Sequence, residues 1–112
     1  LWKGIHGAHR VGKYWEHIPG FENRATCHHC NEMESLEHIL FDCRKPGQAE
    51  VWKLVEELWA KKSNSPLDKS MGGILGCCLA AFEHEKKAKP SGVNRLYRIV
   101  ISESVYFIWK LR

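Results

Sequence analysis

Cys27, Cys30, His38 and Cys43 follow the spacing C-x2-C-x7-H-x4-C, and nothing else in the chain constrains the fold as strongly. Three thiolates and one imidazole are the donor set of a closed, tetrahedral zinc site. All four lie within seventeen positions, in largely polar sequence. A metal held there ties a loop to a helix and adds stability that a small hydrophobic core lacks. One structural Zn2+ is therefore the expected cofactor, preferred to iron because Cys3His is a common zinc set. His28 and His29 lie between the first two cysteines, where the backbone turns their side chains away from the metal; either one is an alternative to His38. Four protein ligands leave no position for water, so the site is expected to be structural and not catalytic. Glu32, Glu34 and Glu37 read as exposed or capping acids, although one of them bonded to His38 would orient the imidazole.

The remaining sequence is mainly α. Residues 1–112 are expected to form a single zinc-binding helical module of about five helices, with the zinc loop and helix at 27–43. Twelve aromatic residues argue for a packed interior. The chain begins at Leu1, and its last helical pattern runs to Leu111-Arg112, so it reads as a piece of a larger protein. Five cysteines, with Cys77 and Cys78 adjacent, suit a reducing compartment, which predicts an intracellular protein, nuclear or cytoplasmic. The longest apolar run, Met71 to Phe82, is too short to span a bilayer, and no membrane partner is expected.

Leu1 to His17 predicts a helix with an apolar stripe at Leu1, Ile5, Ala8, Val11, Trp15 and Ile18, weakened by glycines and open to a break near Gly12. Glu34 to Asp42 predicts a short helix capped by Glu34 or Ser35, burying Leu36, Ile39 and Leu40 and presenting His38. Gln48 to Lys62 predicts an amphipathic helix buried along Val51, Leu54, Val55, Leu58 and Trp59. A fourth helix is expected from Met71 to about His84, then a charged stretch to Lys89. The last, Gly92 to Leu111, is capped by Ser91 and apolar nearly all round, as suits a central helix or one that meets a further partner.

The formal charge of +4 permits nucleic-acid contact without requiring it. Lys3, His6, Arg10, Lys13 and His17 step by three and four, which on one helix would form a phosphate-facing stripe, extended by Arg24, Arg44 and Lys45 near the zinc site. Such residues position a backbone without reading bases. An ordinary solvated helix face is the competing reading. Lys86, Lys87 and Lys89 form a second basic group, read as a solvated turn. Trp2, Tyr14 and Trp15 could stack on bases, although Trp15 fits a core position. Enzymatic readings fare poorly. The two aspartates, Asp42 and Asp68, form no carboxylate cluster for two-metal chemistry, and no phosphate-binding glycine motif is present. Cys77 or Cys78 with His84 reads as inert core chemistry. No small-molecule substrate is expected.

The segment CHHCNEMESLEHILFDC, Cys27 to Cys43, resembles the zinc-binding region of reverse transcriptases from non-LTR, LINE-like retroelements. The likeness continues through LWKGIHGAHRVGKYWEHIPGFENRA before it, and through GILGCCLAAF and VNRLYRIVISESVYFIWKLR after it. Together these segments are similar to fungal, mushroom-type retroelement-derived proteins in which the module accompanies reverse-transcriptase or ribonuclease H domains. The resemblance implies that Cys27, Cys30, His38 and Cys43 ligate zinc. The family's catalytic carboxylates have no counterpart in this chain. What it implies is a non-catalytic accessory module that contacts RNA or DNA and the neighbouring domains of its parent polyprotein. The alternative is a purely structural or protein-interaction module.

Overall fold

The computed structural model describes residues 2–80 and 92–112. Among them the chain is helical, with a single antiparallel bridge between Thr26 and Met33 in place of a sheet. The α-helices are α1 (Trp2–Ile5), α2 (Lys13–Glu16), α3 (Gln48–Ala60), α4 (Met71–Leu75) and α5 (Gly92–Leu111). A 3-10 turn at Glu22–Ala25 and a π-helical segment at His38–Asp42 complete the order. The helix expected from Met71 to about His84 ends at Leu75: Gly76 caps it, and residues 76–79 form a turn in which Leu79 N–H donates to Gly76 C=O at 2.8 Å. The rest of that expected helix beyond residue 80, the charged stretch with Lys86, Lys87 and Lys89, and the Ser91 cap lie outside the described residues.

α5 forms over the range its pattern predicts, and α3 and the π-helical segment pack against it. The core comprises Ile39 and Leu40 from that segment, Trp52, Val55 and Trp59 from α3, Ile74 and Cys77, and Tyr97, Ile101 and Ile108 from α5. Each large apolar side chain buried this way contributes about 1.5–3 kcal/mol. Polar tips inside the core find partners. The Trp59 indole donates to Ser65 C=O at 2.8 Å, and the Tyr97 hydroxyl donates to Asp68 C=O at 2.6 Å.

α3 is rotated relative to the expected stripe. Trp52, Val55 and Trp59 are buried, whereas Leu54 and Leu58 face solvent at 64% and 42% exposure. The reason is a hydrogen bond. Trp52 Nε1 donates to Leu40 C=O at 2.7 Å and its ring stacks on Phe41, which turns that edge of the helix inward. Gln48 Nε2 reaches the same carbonyl at 2.6 Å, so α3 satisfies an oxygen of the segment that carries His38. The helix begins at Gly47, whose N–H donates to the Glu50 carboxylate three residues on. α4 begins where Ser70 Oγ accepts from Gly73 N–H at 3.0 Å.

The helix expected from Leu1 to His17 does not form as one element. α1 and α2 are short, and Gly7 and Gly12 between them take positive φ, at 58° and 52°. Gly12 cannot be replaced in this packing. A Cβ there would lie 2.0 Å from the Glu34 carbonyl oxygen, so the backbone before α2 rests directly on the chain leaving the cysteine loop. The expected stripe is not buried as a face either: Ile5 is 56% exposed, while Val11, Trp15 and Ile18 are half-buried. α1, α4 and α5 border an apolar groove of about 300 Å3 that includes His9, Leu36, Leu75, Val105 and Trp109. No described helix is long and apolar enough to cross a membrane.

Candidate metal centre

The first two cysteines are presented by a tight hairpin. Cys27 N–H donates to Glu32 C=O, Asn31 N–H to Cys27 C=O and Glu34 N–H to Ala25 C=O, each at 2.8 Å. The turn closes through Asn31 at φ 57°, a left-handed conformation that asparagine tolerates better than most residues. His28 and His29 are exposed on this hairpin, outside the ligand cluster.

The other two candidate ligands come from the π-helical segment and the residue that caps it, Cys43. Ser35 Oγ accepts from His38 N–H at 3.0 Å, so Ser35 caps the short helix begun at Leu36. Residues five apart on an α-helix point about 140° away from each other, which would separate His38 from Cys43. The widened turn solves this, with Cys43 N–H donating to His38 C=O at 2.8 Å across a five-residue step. The H-x4-C spacing and the π turn are thus one feature.

The four ligand atoms lie within 4.8 Å of one another, and Cys27, His38 and Cys43 are buried with Cys30 half-buried. Cys27 Sγ and Cys43 Sγ are 3.7 Å apart. That is far beyond a disulfide bond, and it matches the roughly 3.8 Å between two sulfurs that each sit about 2.3 Å from a tetrahedral zinc. His38 Nδ1 lies 3.6 Å from Glu32 Oε2, and buried Nε2 has no hydrogen-bond partner, as suits a nitrogen that a cation completes. Around the cluster, Arg44 N–H donates to Cys30 Sγ at 3.3 Å. Burial raises the Cys27 thiol, but the neighbouring His38 imidazole and hydrogen bonds from the His29 and Cys30 backbone outweigh it and bring the pKa down to about 6. Burial pushes the Cys43 thiol up. The set can hold one metal ion with four protein donors.

Of the flanking acids, Glu32 and Glu37 are exposed as expected, and Glu34 is not. It is 5% exposed and pairs with the Arg112 guanidinium, which also reaches Cys27. The sequence placed Glu34 beside the site but gave no sign of Arg112 as its partner, because 78 positions separate them.

Lys3, His6, Arg10, Lys13, His17, Arg24 and Arg44 are all exposed, but they do not share a helical face. Lys3 is on α1, Lys13 on α2 and His17 at its C-cap, while His6 and Arg10 occupy the glycine-bounded link between the helices. Lys45 is engaged otherwise: its Nζ donates to Leu111 C=O at 2.8 Å and Arg112 C=O at 3.2 Å, capping the end of α5. Trp15, expected in the core, belongs instead to a separate aromatic group. Cys77 is fully buried and Cys78 exposed.

No protein-family model matches the chain, and neither the curated proteins nor the solved structures contain a significant match.

Proposed function

We propose that this chain is a zinc-stabilised accessory module of a retroelement-type reverse transcriptase or ribonuclease H polyprotein, non-catalytic itself, that contacts RNA or DNA. The observation that carries this reading is the convergence of Cys27, Cys30, His38 and Cys43 within 4.8 Å, in a segment whose sequence resembles that family's zinc-binding region. Zinc(II) binds all four protein donors here and fixes the cysteine hairpin against the helix ending at Cys43. The Gly12 backbone rests on the chain leaving that hairpin, so the same metal holds the link carrying Arg10 and the start of α2. The exposed cations Lys3, Arg10, Lys13, Arg24 and Arg44 then supply phosphate contacts.

Titration against labelled single- and double-stranded RNA and DNA at two salt concentrations tests this. Binding should weaken as salt rises, with a shallower salt dependence after neutralisation of Lys3, Arg10 and Lys13. Absence of binding at low salt overturns it in favour of a second reading, a module that docks on a neighbouring domain. That reading draws on the solvent-facing apolar residues of α5, with Ile99 at 49%, Tyr106 at 60% and Phe107 at 53% exposure.

A further inference from the structure

Tyr14, Trp15 and Phe21 fall within eight positions of sequence and gather outside the core. The Tyr14 and Trp15 rings meet edge to face at 5.1 Å, and Phe21 is tilted 5.9 Å from Trp15. Cations cover them: Arg24 lies over Trp15 at 5.1 Å and over Phe21 at 4.8 Å, and Arg10 over Tyr14 at 5.6 Å. The Trp15 indole donates to Arg10 C=O at 2.8 Å, which fixes the ring and the link before α2 together. Tyr14 and Phe21 remain 43% and 41% exposed.

Rings interleaved with guanidinium planes offer flat surfaces for stacking and positive charge for a backbone. Arg10, Lys13 and Arg24 outnumber Glu16 and Glu22 on these elements, and His17 adds a donor. A duplex keeps its base faces stacked and inaccessible to such a surface, whereas unpaired bases fit it. An apolar protein partner gains little from a surface capped by two arginines.

We infer that this cluster is a stacking platform for the unpaired bases of a single-stranded nucleic acid, with Tyr14 and Phe21 against the bases and Arg10, Lys13 and Arg24 toward the phosphates. The inference rests on the nucleic-acid reading above and narrows it. Arg24 joins the two surfaces, because its guanidinium spans Trp15 and Phe21 and it precedes the cysteine hairpin by two residues.

The test uses the whole metal-loaded chain with fluorescently labelled oligouridine of about twelve nucleotides and an RNA duplex of equal length, at one low salt concentration. The single strand should bind at least about tenfold more tightly than the duplex. Tyr14→Ala and Phe21→Ala should each weaken single-strand binding about fivefold or more, the effect of losing one stacked base, and leave duplex binding unchanged. Tyr14→Phe should retain wild-type binding. Metal content and melting temperature matched to wild type certify that each variant is folded, and Tyr14→Ala, which leaves the Trp15–Phe21–Arg24 packing intact, decides the matter if Phe21→Ala does not fold. Equal affinity for strand and duplex, or wild-type binding by folded Tyr14→Ala, overturns the platform while leaving general nucleic-acid binding standing. Failure of the wild-type chain to bind either RNA, or a DNA strand and duplex of the same length run beside them, overturns both.

Discussion

Replacing Gly12 by alanine adds one methyl group at the point where the link before α2 meets the chain leaving the cysteine hairpin. Two costs combine there. The backbone angles, φ 52° and ψ −119°, belong to a region that residues with a Cβ rarely enter, and holding one there costs about 1–3 kcal/mol. The methyl also lands 2.0 Å from the Glu34 carbonyl oxygen, a backbone atom that cannot rotate aside. Accommodating it separates the link from the hairpin and forfeits contacts worth about 1–2 kcal/mol more. Gly7→Ala is the matched control. Its φ is 58°, yet nothing lies within 4 Å of the added carbon, so it carries the conformational cost alone, about 1 kcal/mol. Thermal melts of metal-loaded protein should show Gly12→Ala lowering the midpoint by at least about 10 °C, and Gly7→Ala by about 5 °C, at the 4–8 °C per kcal/mol expected of a domain this size. Equal losses from the two substitutions would refute the claim that the link is seated on the hairpin backbone.

Two further outcomes follow from buried groups. Burial, then the Asp68 and Cys77 charges, push the Tyr97 phenol up to about 12. The neutral phenol is the form the fold accepts, so its contribution is complete below pH 10 and is lost as pH climbs towards 12. Denaturation series across that window should show wild type losing about 2 kcal/mol more than Tyr97→Phe, and parallel curves for the two would contradict it. Cys78 is exposed and Cys77 buried, so a thiol reagent should modify Cys78 first in metal-loaded protein. Chelation should then open Cys27, Cys30 and Cys43 to the reagent; unchanged kinetics after chelation would count against the metal.

Sequence spacing carried the Cys3His cluster and the extent of α5, because each depends on local chemistry: donor atoms at a fixed separation, and apolar residues repeating over twenty positions. It misjudged α3, since Val51, Leu54, Val55, Leu58 and Trp59 repeat as well as Trp52, Val55 and Trp59 do. What chose between the two edges is Trp52 donating to Leu40 C=O, a contact across twelve residues. The helix expected over residues 1–17 breaks before α2, as the glycines near Gly12 allowed. Gly7 and Gly12 interrupt it, and the seat for Gly12 lies on Glu34, which periodicity cannot see. The π turn was encoded in the five-residue step from His38 to Cys43, which an ordinary α-helix does not reconcile with both side chains joining one cluster. The Glu34–Arg112 pair and the Lys45 cap on α5 depend on the end of α5 meeting the segment around the cysteines, and neither leaves a local trace.

The most direct test is a thermal melt of protein whose bound metal has first been quantified, run with and without a strong chelator. One zinc per chain and a large downward shift of the midpoint on chelation are predicted, restored by added Zn2+. A chain that purifies without stoichiometric metal and melts identically in chelator would contradict the claim that Cys27, Cys30, His38 and Cys43 hold the fold together through an ion.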